Sequence, residues 1–223
     1  GVDYRCVDLT QQPTVVRVPT DVDQVCVILT PGGRDAAAYR TVYLAGMKNL
    51  LDHFIAAGSR PHWLFVSSTS VYGQNQGEWV DASSVAAPQT ETAQVLRAAE
   101  EQVLAAARDS TIVRFAGIYG PGRQRLLRAV LAGEPVQYAP PSYTNRIHRD
   151  DCVGVLEFLL ARQRADEPLD RLYLASDCEP AAAGEVAIWL AAQLGCPVPP
   201  SRLGSTDANK RCANALLLEQ GYQ

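Results

Sequence analysis

The six cysteines, at 6, 26, 152, 178, 196 and 212, include no C-x-x-C pair, and only three histidines, at 53, 62 and 148, could join them. That scarcity argues against the usual zinc spacings, and no metal site is expected. Cys26 falls in an apolar strand pattern and Cys152 in a helical one, positions where a free thiol is commonly buried. Reduced thiols and a cytoplasmic setting are therefore the expectation. The chain also lacks any Lys/Arg cluster: 20 basic and 24 acidic residues are interspersed, for a net charge of −4. Neither nucleic acid nor an anionic membrane surface is an expected partner. No apolar run approaches the roughly 20 residues of a membrane span, and no signal-peptide pattern opens the chain. What is present is ordinary for a globular protein, 47% hydrophobic and 20% charged over 223 residues, enough for a sizeable core.

Strand and helix patterns alternate. A candidate strand covers Tyr4 to Val7. Residues 25–30, VCVILT, form a short β-branched run that reads as a fully buried strand. Asp35 is placed to cap a helix over 36–57, with apolar residues at Val42, Ala45, Leu50, Leu51, Phe54 and Ile55, and Gly58 ends it. Residues 63–67 are the next strand, and 89–108, rich in Ala, Glu, Gln, Leu and Arg, the next helix. TIVRF at 111–115 is a strand, and 126–131 a short helix. Asp150 or Asp151 caps a helix that runs to about Arg164. Residues 171–176 are a strand, 181–194 a helix stopped by Gly195, 197–210 a loop, and 211–220 a short closing helix. Such alternation implies an α/β fold, a Rossmann-type doubly wound parallel sheet, whose ligands sit beyond the carboxyl ends of the strands. Ser67, Ser68, Thr69 and Ser70 stand at such an end. Their hydroxyls either cap the strand or face a ligand.

Five motifs follow one another: Asp8-Leu9-Thr10, Thr30-Pro31-Gly32-Gly33, SSTSVYG (67–73), RFAGIYGPGR (114–123) and NRIHRDD (145–151). Together they resemble the extended short-chain dehydrogenase/reductase superfamily, the NAD-dependent epimerase/dehydratase group, over about residues 4–215. The resemblance implies NAD or NADP as cofactor and a small-molecule substrate. It implies that Asp8 and Leu9 touch the adenine, that Leu29, Thr30 and Pro31 pass beneath the cofactor, and that Ser67 lies beside it. Ser68 would hold the reacting oxygen, with Thr69 and Ser70 alongside. Gly117, Tyr119 and Arg123 would lie over the nicotinamide and substrate, with His148 and Asp151 closing the substrate side. Residues 1–175 would form the cofactor domain and 176–223 a small C-terminal substrate region, with contributions from 117–145. The helices at 36–57 and 89–108 are the pair many such relatives use in a four-helix dimer contact, so the resemblance also allows a homodimer.

Two departures stand out. The family's Tyr-x-x-x-Lys pair, placed by anchoring its following Glu on Glu100, falls on Thr92 and Leu96, and no Tyr or Lys occurs between 80 and 110. Tyr supplies a proton and Lys lowers its pKa by charge; neither Leu nor an unassisted Thr does this work, and Arg97 is the only cation near. The family also opens with a βαβ unit carrying G-x-x-G-x-x-G, which seats the pyrophosphate at a helix N-terminus. This chain starts just before the third strand of that scheme, so an incomplete amino end is expected. Three functions remain open: an atypical NAD(P)-dependent oxidoreductase whose proton donor is water, Tyr119 or His148, a non-catalytic NAD(P)-binding sensor or scaffold, and a full nucleotide-sugar epimerase with a rearranged site.

Overall fold

The computed structural model describes residues 2–204 and 209–223. Its elements are α1 (Gln12–Val15), β1 (Gln24–Val27), α2 (Ala36–Tyr39), a π-helical stretch (Arg40–Gly46), α3 (Met47–Ala56), β2 (His62–Ser68), a 3-10 turn (Thr69–Val71), β3 (Glu78–Val80), α4 (Glu91–Ala106), β4 (Ser110–Phe115), β5 (Gly117–Tyr119), α5 (Arg125–Leu131), β6 (Tyr143–Thr144), β7 (Arg146–His148), α6 (Arg149–Arg164), β8 (Leu172–Ala175), β9 (Ala181–Ala182), α7 (Ala183–Leu194), β10 (Lys210–Cys212) and α8 (Ala215–Glu219). The fold is α/β, with a four-stranded sheet in the order β1-β2-β4-β8 and β1 parallel to β2. Ile112 N–H bonds the Arg171 carbonyl and Ala116 N–H the Ala175 carbonyl, so both strands advance by four residues in step, as parallel pairing requires. Contacts divide the chain into two compact units, residues 1–71, 88–113 and 160–172, and residues 72–87, 114–159 and 173–223. The expected substrate-side segments 117–145 and 176–223 both fall in the second unit.

In the first unit the apolar run Trp63-Leu64-Phe65 is buried in β2, and Phe54 of α3 meets Trp63 edge-on with ring centroids 5.0 Å apart. Burying each such side chain is worth roughly 1.5–3 kcal/mol. Asp35 caps α2 as expected, its carboxylate accepting from Ala38 N–H at 2.9 Å. Thr90 caps α4, whose buried stripe is Ala93, Val95, Leu96, Ala99, Glu100 and Val103. In the second unit α5 packs on α7 through Val130, Ala187 and Ala191. Short strand pairs complete it: β3 with β10 and β5 with β7, both parallel, and β6 with β9, antiparallel.

The structure corrects the sequence expectations at several places. The run at 25–30 is not a fully buried strand: β1 covers only Gln24–Val27, with Val27 buried, Cys26 exposed and Ile28 beyond it exposed. Tyr4 to Val7 is not a strand: the segment is largely exposed and no described strand lies beside it to pair its backbone groups. The helix expected over 211–220 is a strand, β10, followed by the five-residue α8; Lys210 and Cys212 are buried while Arg211 between them is half-buried, the period of two of a pleated strand. Helix α6 begins at Arg149, so Asp150 and Asp151 occupy its first turn instead of the cap, where their charge still meets the positive end of the helix. The loop expected over 197–210 contains a bridge at Ser201; residues 205–208 of it lie outside the described residues. No described helix is long and apolar enough to cross a membrane.

Candidate functional site

The four hydroxyls after the apolar part of β2 divide between two tasks. Ser67 is buried, and its Oγ donates to Glu100 Oε1 at 2.6 Å; Arg97 Nη1 donates to the other oxygen of that carboxylate at 3.0 Å. Ser67 thus ties β2 to α4. Ser68 is half-buried and its Oγ accepts from Ser70 N–H at 3.1 Å. A hydroxyl has one donor and two acceptor positions, so that bond leaves the Ser68 proton unspent. Ser70 is exposed and Thr69 buried. Both the capping and the ligand-facing alternatives therefore have a physical footing at Ser68. On α4, Leu96 is in the core, and Thr92 Oγ1 lies 3.4 Å from Thr90 Oγ1.

Asp8 folds into a local turn: its Oδ1 accepts from Thr10 N–H at 2.9 Å and from Thr10 Oγ1 at 2.7 Å. Those bonds hold the carboxyl below its usual range, so it is an ionised acceptor with lone pairs to spare. Leu9 packs on the π-helical stretch, where a Cβ on Gly46 would lie 3.3 Å from Leu9 Cβ, and its carbonyl accepts from Asn49 Nδ2 at 2.9 Å. The Leu29 carbonyl accepts from Tyr43 Oη at 2.9 Å, which fixes the backbone leading into Thr30 and Pro31. Among the described residues, no hydrogen bond links Asp8 to Leu29, Thr30 or Ser67.

In the second unit, the pairing of β5 with β7 sets Gly117 opposite Arg146 and Tyr119 opposite His148. The Tyr119 and His148 rings meet edge-on at 5.3 Å, and Tyr119 remains 45% exposed. Asp150 N–H donates to His148 Nδ1 at 3.3 Å, so the neutral ring carries its proton on Nε2. Asp150 Oδ2 lies 3.7 Å from the same Nδ1. Gly120-Pro121-Gly122-Arg123 is a turn closed by Arg123 N–H on the Gly120 carbonyl at 2.9 Å, with Pro and a positive-φ Gly in the order a type II turn requires. Cys152 has its thiol pushed up to about 11 by burial, with Asp151 adding to the effect and Arg123 opposing it, which leaves it inert as a nucleophile at neutral pH.

The sequence profile of the NAD dependent epimerase/dehydratase family matches residues 4–171. The chain belongs to this family. A solved Methylobacillus flagellatus protein described as an NAD-dependent epimerase/dehydratase is 33% identical, with a TM-score of 0.80 over 100% of this chain and 78% of that one. Protein YeeZ of Escherichia coli strain K12 is 27% identical over 228 residues, 96% of this chain and 79% of YeeZ. The UDP-glucose 4-epimerase of Thermus thermophilus, solved with NAD, is 19% identical and shares the fold at a TM-score of 0.77, over 97% of this chain and 78% of that one.

Two charged groups of this epimerase/dehydratase chain escaped the sequence reading. Lys210 is buried, its Nζ donating to the Tyr72 carbonyl at 3.0 Å, and burial pushes its pKa down. A Lys-Arg pair after a polar loop reads as solvated; only the pairing of β10 with β3 buries it. Asp177, just beyond β8, has its carboxyl pushed up by burial, which outweighs the guanidinium of Arg146 at 3.7 Å; its Oδ1 is buried and has no hydrogen-bond partner among the described residues. A folded-state pKa raised above the unfolded one stabilises the protein at acid pH, and that contribution is lost as pH rises through the folded value. Asp177→Asn is therefore expected to gain in melting temperature relative to the parent on going from about pH 3 to about pH 7. Melting curves across that range check it, and a difference between the two proteins that stays constant with pH contradicts it.

Proposed function

We propose that the chain binds a nicotinamide dinucleotide, NAD or NADP, and acts as an oxidoreductase-like epimerase/dehydratase on a small carbonyl, hydroxyl or nucleotide-sugar-type substrate. The observation that carries this reading is Ser68: a hydroxyl at the carboxyl end of a central strand, its proton given to no acceptor among the described residues, in a chain whose family match spans most of its length. The residues present fit the proposed ligand. Asp8 is an ionised acceptor beside the apolar Leu9, suited to an adenosine end, and Leu29 to Pro31 offer backbone fixed by Tyr43. When bound, the cofactor would carry the hydride chemistry. Ser68 would donate to the substrate oxygen as charge develops on it.

The acid is the open element of the mechanism. Thr92 and Leu96 offer neither the proton nor the charge of the family's Tyr and Lys. Water, the Tyr119 hydroxyl and the His148 imidazole in its protonated form are the candidate donors. The placement of Leu96 in the core favours a second reading, a protein that binds the dinucleotide as a sensor without turning over substrate.

Fluorescence titration with NADH and NADPH, followed by a screen of carbonyl compounds and nucleotide sugars, separates these. Turnover is expected to fall about 100-fold in Ser68→Ala, with cofactor affinity within about twofold of the parent, since Ser68 is proposed to act on the reacting oxygen. Binding without turnover in the parent selects the sensor. Absence of dinucleotide binding removes both readings.

A further inference from the structure

Arg211 of the second unit lies between two aromatic rings, its guanidinium carbon 5.0 Å from the centroid of Trp79 and 4.9 Å from that of Tyr143. Strand pairing dictates the first contact: Arg211 is opposite Trp79 in the β3–β10 register, so both side chains leave the same face. The second depends on Gly77, where a Cβ would come within 3.2 Å of Tyr143 Cε2. Arg211 Nε donates to the Gly77 carbonyl at 2.7 Å, which fixes the plane of the guanidinium. Its two Nη groups meet no carboxylate among the described residues. Glu78, the acid on the paired strand, turns its own carboxylate back onto Gln76 N–H at 2.7 Å. Trp79 itself is 54% exposed.

Ring contacts on both sides leave the edge of a guanidinium as its point of approach. Planar, weakly hydrated and already oriented, such an edge suits two parallel bonds to a carboxylate or phosphate. A cation fixed by three groups of its own chain, yet paired with no anion among the described residues, is oriented for an anion from outside. We propose that Arg211, held between Trp79 and Tyr143, anchors a binding subsite for the oxyanion group of a small molecule, a phosphate or a carboxylate. The subsite uses none of the residues assigned to the dinucleotide, so its failure would leave that reading intact.

The test uses Trp79 as reporter in the full chain carrying Trp189→Phe, which removes the other exposed indole; Trp63, the third, is buried. Sodium phosphate and sodium acetate are titrated separately, with ionic strength held constant by sodium chloride. A saturable change in emission is expected with at least one of them, and the comparison identifies the source of the oxyanion. Arg211→Gln should abolish the change. Arg211→Lys keeps the charge and a stem to pack on the rings but loses the fork, and should weaken binding by about tenfold. Circular dichroism on the same samples verifies that both variants are folded. No saturable response to either salt overturns the proposal, and so does a response of unchanged affinity in the Lys variant.

Discussion

Glu100→Ala is expected to destabilise the protein by about 3–5 kcal/mol. Glu100 is fully buried on α4 and accepts from Ser67 Oγ at 2.6 Å and Arg97 Nη1 at 3.0 Å. A buried carboxylate is tolerated only when its lone pairs are met, and here a hydroxyl from β2 and a guanidinium from its own helix meet them. Truncation removes the acceptor from a buried hydroxyl, withdraws one of the two carboxylates that hold Arg97, the other being Glu101 at 3.2 Å, and leaves a cavity in the core. Glu100→Gln keeps the volume and one acceptor and should cost less, about 1.5–3 kcal/mol. Urea unfolding measures both. A loss below about 1 kcal/mol in the Ala variant would show that the bond between β2 and α4 contributes little. The Gln variant also bears on function, because Ser68 follows directly on Ser67. Slackening the Ser67 anchor should reduce turnover in a protein that still binds cofactor, whereas Ser68→Ala should do so without lowering stability beyond about 1 kcal/mol.

The parts of the fold legible in the sequence are those whose cause is local. Asp35 precedes three alanines, and its cap depends on nothing more than three residues away. TIVRF reads as a buried strand because a parallel strand covered on both faces needs an unbroken apolar run, and all six residues of β4 are buried. Arg114 shows the limit of that rule: its charge lies inside β4, with the guanidinium carbon 4.8 Å from the Tyr72 ring centroid, a contact made across 42 residues of sequence. The second unit hid its short strands for the same reason. Strands of two or three residues show no alternation, and β10 becomes a strand only because β3, some 130 residues earlier, lies beside it. At the candidate site, SSTSVYG identified the strand end, but only the family resemblance, not the residues themselves, gave Ser67 and Ser68 different tasks. One hydroxyl is consumed by Glu100 and the other keeps its proton, and the difference arises from the alternation of faces along β2 and from which face α4 covers.

The second large effect is expected at Gly120. Its φ is +129°, a conformation that side chains rarely adopt, and a Cβ there would lie 2.8 Å from His148 Nε2, 3.0 Å from His148 Cδ2 and 3.4 Å from Arg149 Cβ. The imidazole has little freedom to withdraw. Its strand pairs with β5, its Nδ1 accepts from Asp150 N–H and its ring packs edge-on against Tyr119. Gly120→Ala should therefore combine backbone strain with a steric clash, about 3 kcal/mol or more in total. Gly122, two residues on, separates the two terms. Its φ is +81°, but a Cβ placed there would meet no atom within 4 Å, so Gly122→Ala should cost only the backbone strain, about 1–2 kcal/mol. Denaturant unfolding of the two variants measures the difference, and the His148 imidazole resonances report whether the ring has moved in the Gly120 variant alone. Equal losses at the two positions would mean that His148 yields easily. The close approach at Gly120 would then reflect only the turn, and the edge-on contact with Tyr119 would not be a rigid feature able to hold a proton donor in place.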